Sequence, residues 1–231
     1  MIVYKDLIQG SEEWHFMRRG KVTGSKLSSV LGTSLTRTQL IAELIGEYAS
    51  EQTKTFKPTI EMERGTEQEP LAVQAFEKLN NVEINRNVGF MISDEFNFLG
   101  FSPDGILEDS DFSEMIEIKN PDTKTMMFYK IANMIPQEET KLSAGKQNWC
   151  GISQDYKYQV LCGFLVNEKC KKIHFLVHDA RIIDEKQRLY TVTIERDNEL
   201  VQKELKEVRE ELIRFRADWL KWQDIIMPSN F

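Results

Sequence analysis

The amino-acid sequence predicts an α/β (α+β) fold: a central mixed β-sheet flanked by helices. Three observations carry this. Apolar residues recur at helical spacing through the first third of the chain. Between about residues 88 and 119 the pattern changes to short strand-like runs. A helix, two strands and a long helix then follow, and helices alternating with strands in this way favour layers around one sheet. The 231 residues suit a single domain, 1–231, large enough to bury a core without disulfides or a structural metal.

Ser11 can cap a short helix with Glu12 and Glu13 in its first turn, where carboxylates suit the helix dipole. Thr23 can cap a second helix from Gly24 to about Leu31. Thr36 can cap a third, with Leu40, Ile41, Leu44, Ile45 and Tyr48 on one face. A fourth starts near Thr66, carries Leu71, Val73, Ala75, Phe76 and Leu79, and ends at Asn80-Asn81. Residues 88–92, 98–102 and 114–119 read as strands between turn signals. Residues 121–148 are polar and read as loop with some helix. From Ser153 to Val166 the helical period returns, with Tyr156, Gln159, Val160, Gly163 and Phe164 on one face. Strands at 172–178 and 189–195 and a helix from about Asn198 to Trp222 complete the order.

The composition is that of an ordinary globular chain, which excludes disordered, collagenous and disulfide-scaffold classes. The net charge of −7 argues against a surface coated for nucleic acid, yet leaves room for basic residues gathered at one site. Residues 14–57 hold a local balance of +4, readable as a solvated basic face or a phosphate-binding one. Apolar runs such as Phe175-Leu176-Val177 are far below the roughly 20 residues of a membrane span, and no secretory signal opens the chain. Three cysteines, Cys150, Cys162 and Cys170, favour reduced thiols in a cytoplasmic setting and oppose a four-cysteine iron–sulfur cluster. His15, His174 and His178 share no metal-ligand spacing with them. No phosphate-cradling Gly-x-x-x-x-Gly-Lys-Ser/Thr loop is present, so no ATP motor is expected.

The informative residues are Ser102-Pro103-Asp104-Gly105 and Glu117-Ile118-Lys119. Glu117 and Lys119 are two apart on a strand and project from one face. If the two segments form a hairpin, Asp104 comes alongside Glu117. Paired carboxylates repel unless a divalent cation neutralises them, and hard oxygen donors suit Mg²⁺ or Mn²⁺. Lys119 could then hold a water or offset charge on a phosphate. The same letters also describe an edge strand with a solvated charged face and a Pro-Asp-Gly turn. Ile116 and Ile118, which give the strand a core face, weigh against that.

Several further segments fall in a recognisable order. Trp14-His15-x-x-Arg18-x-Gly20-x-x-Thr23-x-Ser25 comes first, then Gly65-Thr66-Glu67-Gln68-Glu69-Pro70-x-Ala72. The two central segments above follow, and Tyr156-x-x-Gln159-Val160 comes last. Taken one by one, Glu69 is an acid in a first helical turn, Tyr156 and Gln159 are core filler and surface amide, and Arg18 is a solvated base. Together, over about residues 12–166, they resemble the lambda-exonuclease-like (YqaJ-type viral recombinase) family of the PD-(D/E)xK nuclease superfamily.

The resemblance implies a restriction-endonuclease-like core and a set of roles. Asp104, Glu117 and the Ile118 carbonyl would hold the metal, and Lys119 would orient the attacking water. Glu69 would help hold a second ion or its water. Tyr156 and Gln159 would contact the scissile nucleotide. Arg18 and Ser25 would bind a terminal 5′ phosphate, with Ser102 an addition and Met62 an apolar wedge against the end base pair. The implied activity is an Mg²⁺-dependent 5′-to-3′ exonuclease that digests one strand of linear duplex DNA to mononucleotides. The 3′ strand left behind would serve phage-type recombination with a single-strand annealing protein. A homotrimeric ring in the bacterial host cytoplasm would carry the activity, with no membrane partner. A restriction-like endonuclease and a non-catalytic DNA-end-binding module are the alternatives.

Overall fold

A computed structural model describes residues 1–50, 59–134 and 149–227, apart from the side chains of residues 61, 62 and 133. A short strand β1 (Ile2–Tyr4) precedes helices α1 (Glu12–Met17), α2 (Gly24–Val30), α3 (Ser34–Ala49) and α4 (Ile60–Asn80). Strands β2 (Ile84–Asn85), β3 (Phe90–Ile92), β4 (Gly100–Phe101), β5 (Gly105–Leu107) and β6 (Glu114–Lys119) follow. Helices α5 (Thr123–Met134) and α6 (Gln154–Val166), strands β7 (Lys172–His178) and β8 (Leu189–Glu195), and helix α7 (Glu199–Ile226) complete the order.

The strands form a mixed five-stranded sheet, β2-β5-β6-β7-β8, and a three-stranded sheet, β1-β3-β4. Within the larger sheet only β6 and β7 run parallel, joined by a crossover through α5 and α6. That makes β6 the central strand. Its residues 115–118 are all buried, which accounts for the run Met-Ile-Glu-Ile rather than a polar alternation. Ile116 and Ile118 meet Ala72, Val73 and Phe76 of α4 together with Leu176. On the other side Met115 joins the main core with Val160, Leu161 and Phe164 of α6 and with Val201, Leu205, Val208, Leu212, Phe215 and Trp219 of α7. The spacing of these α7 residues is the helical stripe the sequence suggests, and Asn198 caps the helix by accepting from the Leu200 and Val201 amides.

The boundaries differ in instructive ways. Thr33, not Thr36, caps α3, accepting the Thr36 amide with its own hydroxyl. Helix α4 begins at Ile60 rather than Thr66, so Glu69-Pro70 lies inside it. Val73 and Phe76 dock as expected, joined by Ala72, while Leu71 and Leu79 face outward. Strands β1, β2 and β5 are two or three residues long, too short to show a period. Gly89 takes φ +68°, and a Cβ there would lie 1.8 Å from the Tyr4 carbonyl oxygen, so this glycine lets β1 reach its place beside β3. Among the described residues no helix is long and apolar enough to cross a membrane.

Candidate active site

The chain leaves the three-stranded sheet and enters the larger one at Ser102-Pro103-Asp104. Pro103 has no N–H to donate, so strand pairing stops at this corner. The Asp104 side chain takes over: its Oδ2 accepts the Ile118 N–H at 2.6 Å. The expected hairpin therefore exists between β5 and β6, with Gly105 opposite Ile116. Asp104 immediately precedes β5, while β4 pairs with β3 and not with β6.

Asp104 lies alongside Glu117, and the proximity is felt in its titration. Withdrawal from water, reinforced by the Glu117 carboxylate, raises Asp104 from 3.8 to about 8, against the pull of Lys119. Glu117 is only 6% exposed. Lys119 Nζ donates to Glu117 Oε1 at 2.6 Å. Burial works against the Lys119 charge, but Glu117 and Asp104 outweigh it and raise Lys119 above its usual range. A buried acid on the central strand is not the solvated face of an edge strand. The more ordinary reading of Glu-x-Lys is thereby excluded.

Glu69 lies close enough to Lys119, Glu117 and Asp104 to influence or respond to each. Burial raises its pKa, while Arg86 lowers it. Its Oε2 accepts from Arg86 Nη2 at 3.0 Å. The donor set suits a hard divalent ion: two adjacent carboxylates, one of them held protonated by repulsion and burial, with a third acid nearby. Among the described residues no three acidic, His or Cys side chains already converge on one ion position. Glu69 is engaged by Arg86 instead.

Of the other expected residues, Tyr156 touches this centre. Lys119 Nζ lies 5.3 Å from the centre of the Tyr156 ring, which itself packs on Phe175. Gln159, one turn further along α6, meets Gly24 so closely that a Cβ on Gly24 would lie 3.0 Å from the Gln159 Cα. Gly24 thus lets the start of α2 approach α6, and Ser25, next in the helix, is exposed. The preceding residue Val22 is pinned to the small sheet by bonds with Phe98 and Gly100. Thr23 occupies the cap position of α2 without a side-chain capping bond; its hydroxyl faces Ser25 Oγ at 3.4 Å.

Trp14 joins the first segment to the third: its indole N–H donates to Ser102 Oγ at 2.9 Å. Arg18 stacks on the same indole, with its guanidinium carbon 3.9 Å from the ring centre. Burial lowers Arg18 to about 10, which leaves it charged at neutral pH. The Met62 side chain lies outside the described residues, as does the segment 135–148.

Three participants were not legible in the sequence. Arg86, which holds Glu69, stands in no motif. Trp14 gave no hint of its bond to Ser102. Asn120, just after Lys119, donates to the Gly65 carbonyl at 2.9 Å. Much of the basic excess near the N-terminus is also turned inward. Glu47 accepts from Lys26 and the Gly20 amide, and its carbonyl accepts from Arg19. Cys162 is fully buried, donating to the Gly100 carbonyl, and His174 bridges Glu114 and Thr193.

The fold is shared with known proteins. An alkaline exonuclease (LHK-Exo) from Laribacter hongkongensis is 25% identical, with a TM-score of 0.72 over 95% of this chain and 97% of that one. A second crystal structure of LHK-Exo, in complex with dAMP, is 25% identical, with a TM-score of 0.69 over 95% of this chain and 100% of that one. A phage related exonuclease from Haemophilus somnus 129PT, 16% identical, shares the fold with a TM-score of 0.58 over 88% of this chain and 96% of that one. No curated protein matches the chain in sequence. The profile of the YqaJ-like viral recombinase domain matches residues 13–161, the span that holds every segment of the cluster from Trp14 to Gln159. The chain belongs to the YqaJ-like viral recombinase domain family.

Proposed function

We propose that the protein is an Mg²⁺-dependent exonuclease, with Mn²⁺ as a substitute, that digests one strand of linear duplex DNA from a 5′-phosphorylated end. It releases mononucleotides and leaves a 3′ single strand for phage-type recombination with an annealing protein. In this reading one domain spanning 1–231 acts as a homotrimeric ring in the bacterial cytoplasm. Family membership and the likeness to alkaline exonucleases support a nuclease, and the dAMP held by LHK-Exo supports a mononucleotide product. The single observation that carries the reading is the meeting of Asp104, Glu117 and Lys119 at one end of the central strand.

Asp104, Glu117 and the Ile118 carbonyl would hold the ion, and Glu69 would support a second. Bound there, the ion would supply Lewis acidity for phosphodiester hydrolysis. Lys119 orients the attacking water and offsets charge growing on the phosphate. Tyr156 and Gln159, one turn apart on α6, bracket the nucleotide beside Lys119. Arg18, held rigid on Trp14, and Ser25 at the start of α2 bind the terminal phosphate.

The test uses linear duplexes labelled at either end, with and without 5′ phosphate, in Mg²⁺ or EDTA, beside a closed circle. Loss of label from the phosphorylated 5′ end, only with Mg²⁺, is expected. Cutting of the closed circle would instead select an endonuclease. Tight end-binding with no cleavage under any divalent ion would select a binding module.

A pH dependence follows from Asp104. Its raised pKa means the folded protein holds a proton that the unfolded chain has released between about pH 4 and pH 8. Metal-free stability therefore falls as pH rises through that window. Bound Mg²⁺ replaces the proton, so the gain in Tm on adding Mg²⁺ grows from pH 5 to pH 8. Scanning calorimetry with and without EDTA measures both slopes; a pH-independent gain would count against the carboxylate pair as the ion site.

A further inference from the structure

We propose that Asn120 is a positioning residue for Glu69, holding the first turns of α4 against the end of β6. The proposal rests on the reading of Glu69 as a metal-site acid.

Helix α4 is anchored unevenly. Beyond Pro70 it docks through Ala72, Val73 and Phe76 on Ile116, Ile118 and Leu176. Pro70 lies inside the helix and lacks the N–H that would bond the Thr66 carbonyl. The helical ladder is therefore interrupted immediately after Glu69. Before the break, Ile60 is 80% exposed, and Glu63, Thr66 and Glu67 also face solvent. Among the described residues, the apolar contacts of α4 begin at Ala72, beyond the turn that carries Glu69.

A polar clasp does reach it. Asn120 Nδ2 donates to the Gly65 carbonyl at 2.9 Å, and Arg64 Nη2 donates to the Asn120 carbonyl at 3.3 Å. Gly65 and Glu69 are four residues apart, one turn, on the same face of the helix. Asn120 directly follows Lys119 in the chain. The clasp thus couples the strand end bearing Glu117 and Lys119 to the helical turn bearing Glu69, on the N-terminal side of the weak point at Pro70. Asn120→Ala therefore removes the bond to Gly65 alone, since the Arg64 bond goes to the Asn120 backbone carbonyl and remains. Arg86 holds the Glu69 carboxylate itself; Asn120 holds the backbone that delivers it.

The test is a double-mutant cycle on the full chain. Mn²⁺ affinity is read by calorimetry without DNA, and the Mg²⁺ concentration for half-maximal digestion is read with DNA. Asn120→Ala is expected to weaken both about five- to tenfold, the scale of one lost hydrogen bond, with KM for duplex ends unchanged. In a Glu69→Gln background the same change should add nothing, because a residue acting through another is not additive with it. Asn120→Ser keeps a short donor and should recover part of the loss; it replaces the alanine variant if that variant loses its far-UV helical signal. Unchanged Mn²⁺ affinity, or an equal loss in both backgrounds, overturns the proposal. Wild-type protein that binds Mn²⁺ but digests no DNA overturns the nuclease reading instead, and the affinity cycle still decides the role of Asn120.

Discussion

Lys119→Met is expected to lower kcat for duplex digestion by about a thousandfold while leaving affinity for DNA ends within about twofold. In the proposed reaction the ammonium orients water and meets charge that grows only in the transition state, and losses of that kind fall on kcat. Methionine keeps the length and the contact with the Tyr156 ring, so packing is largely preserved. The stability consequence is separate. Glu117 is buried and loses the cation that donates to it at 2.6 Å. Leaving a buried acid without its partner should cost about 2 kcal/mol in metal-free protein, or about 5 °C in Tm. Mg²⁺ should restore most of that. Single-turnover digestion of an end-labelled duplex and calorimetry in EDTA check the two halves. Digestion within tenfold of wild type would remove Lys119 from the chemistry.

Asp104→Asn should abolish digestion to a similar extent but move stability the other way. Asparagine can still accept the Ile118 N–H through Oδ1, so the corner between the two sheets survives. What disappears is one of two adjoining carboxylates. At pH 8 without metal, where Asp104 is substantially ionised against Glu117, the variant should melt about 2–4 °C above wild type. The difference should shrink as pH falls and vanish below about pH 4, where Asp104, raised to about 8 in the folded protein, is protonated in the unfolded chain as well. Opposite shifts in metal-free Tm from two inactive variants distinguish a built ion site from general damage, since damage lowers both. A metal-free Tm at pH 8 equal to or below wild type would show that the two acids are not in repulsive contact.

The layers of the fold were legible because long elements carry their period on their face. Helix α7 shows it in Val201, Leu205, Val208, Leu212, Phe215 and Trp219, and β7 and β8 match the expected bounds. Strands β1, β2 and β5 were not legible. Two or three residues hold no period, and such strands form only because a partner is already there. Helix α4 was entered too late for a similar reason. Glu69-Pro70 looks like the first turn of a helix, where proline is welcome, but α4 begins nine residues before Glu69 and absorbs the proline in its interior.

By itself the sequence singled out the candidate groups. Acid, acid and ammonium at Asp104, Glu117 and Lys119 stand out by side-chain type and strand spacing, while Glu69, Tyr156, Gln159, Arg18 and Ser25 stand out only through the resemblance to a family. Only the tertiary structure decided that Glu117 is buried on a central strand, that Arg86 grips Glu69, that Trp14 joins Arg18 to Ser102, and that Asn120 ties Gly65 to the strand end. The physical reason is range. A side chain's pKa and its bonding partner depend on which distant segment fills the space beside it, and that is set by the packing of whole elements rather than by neighbours along the chain.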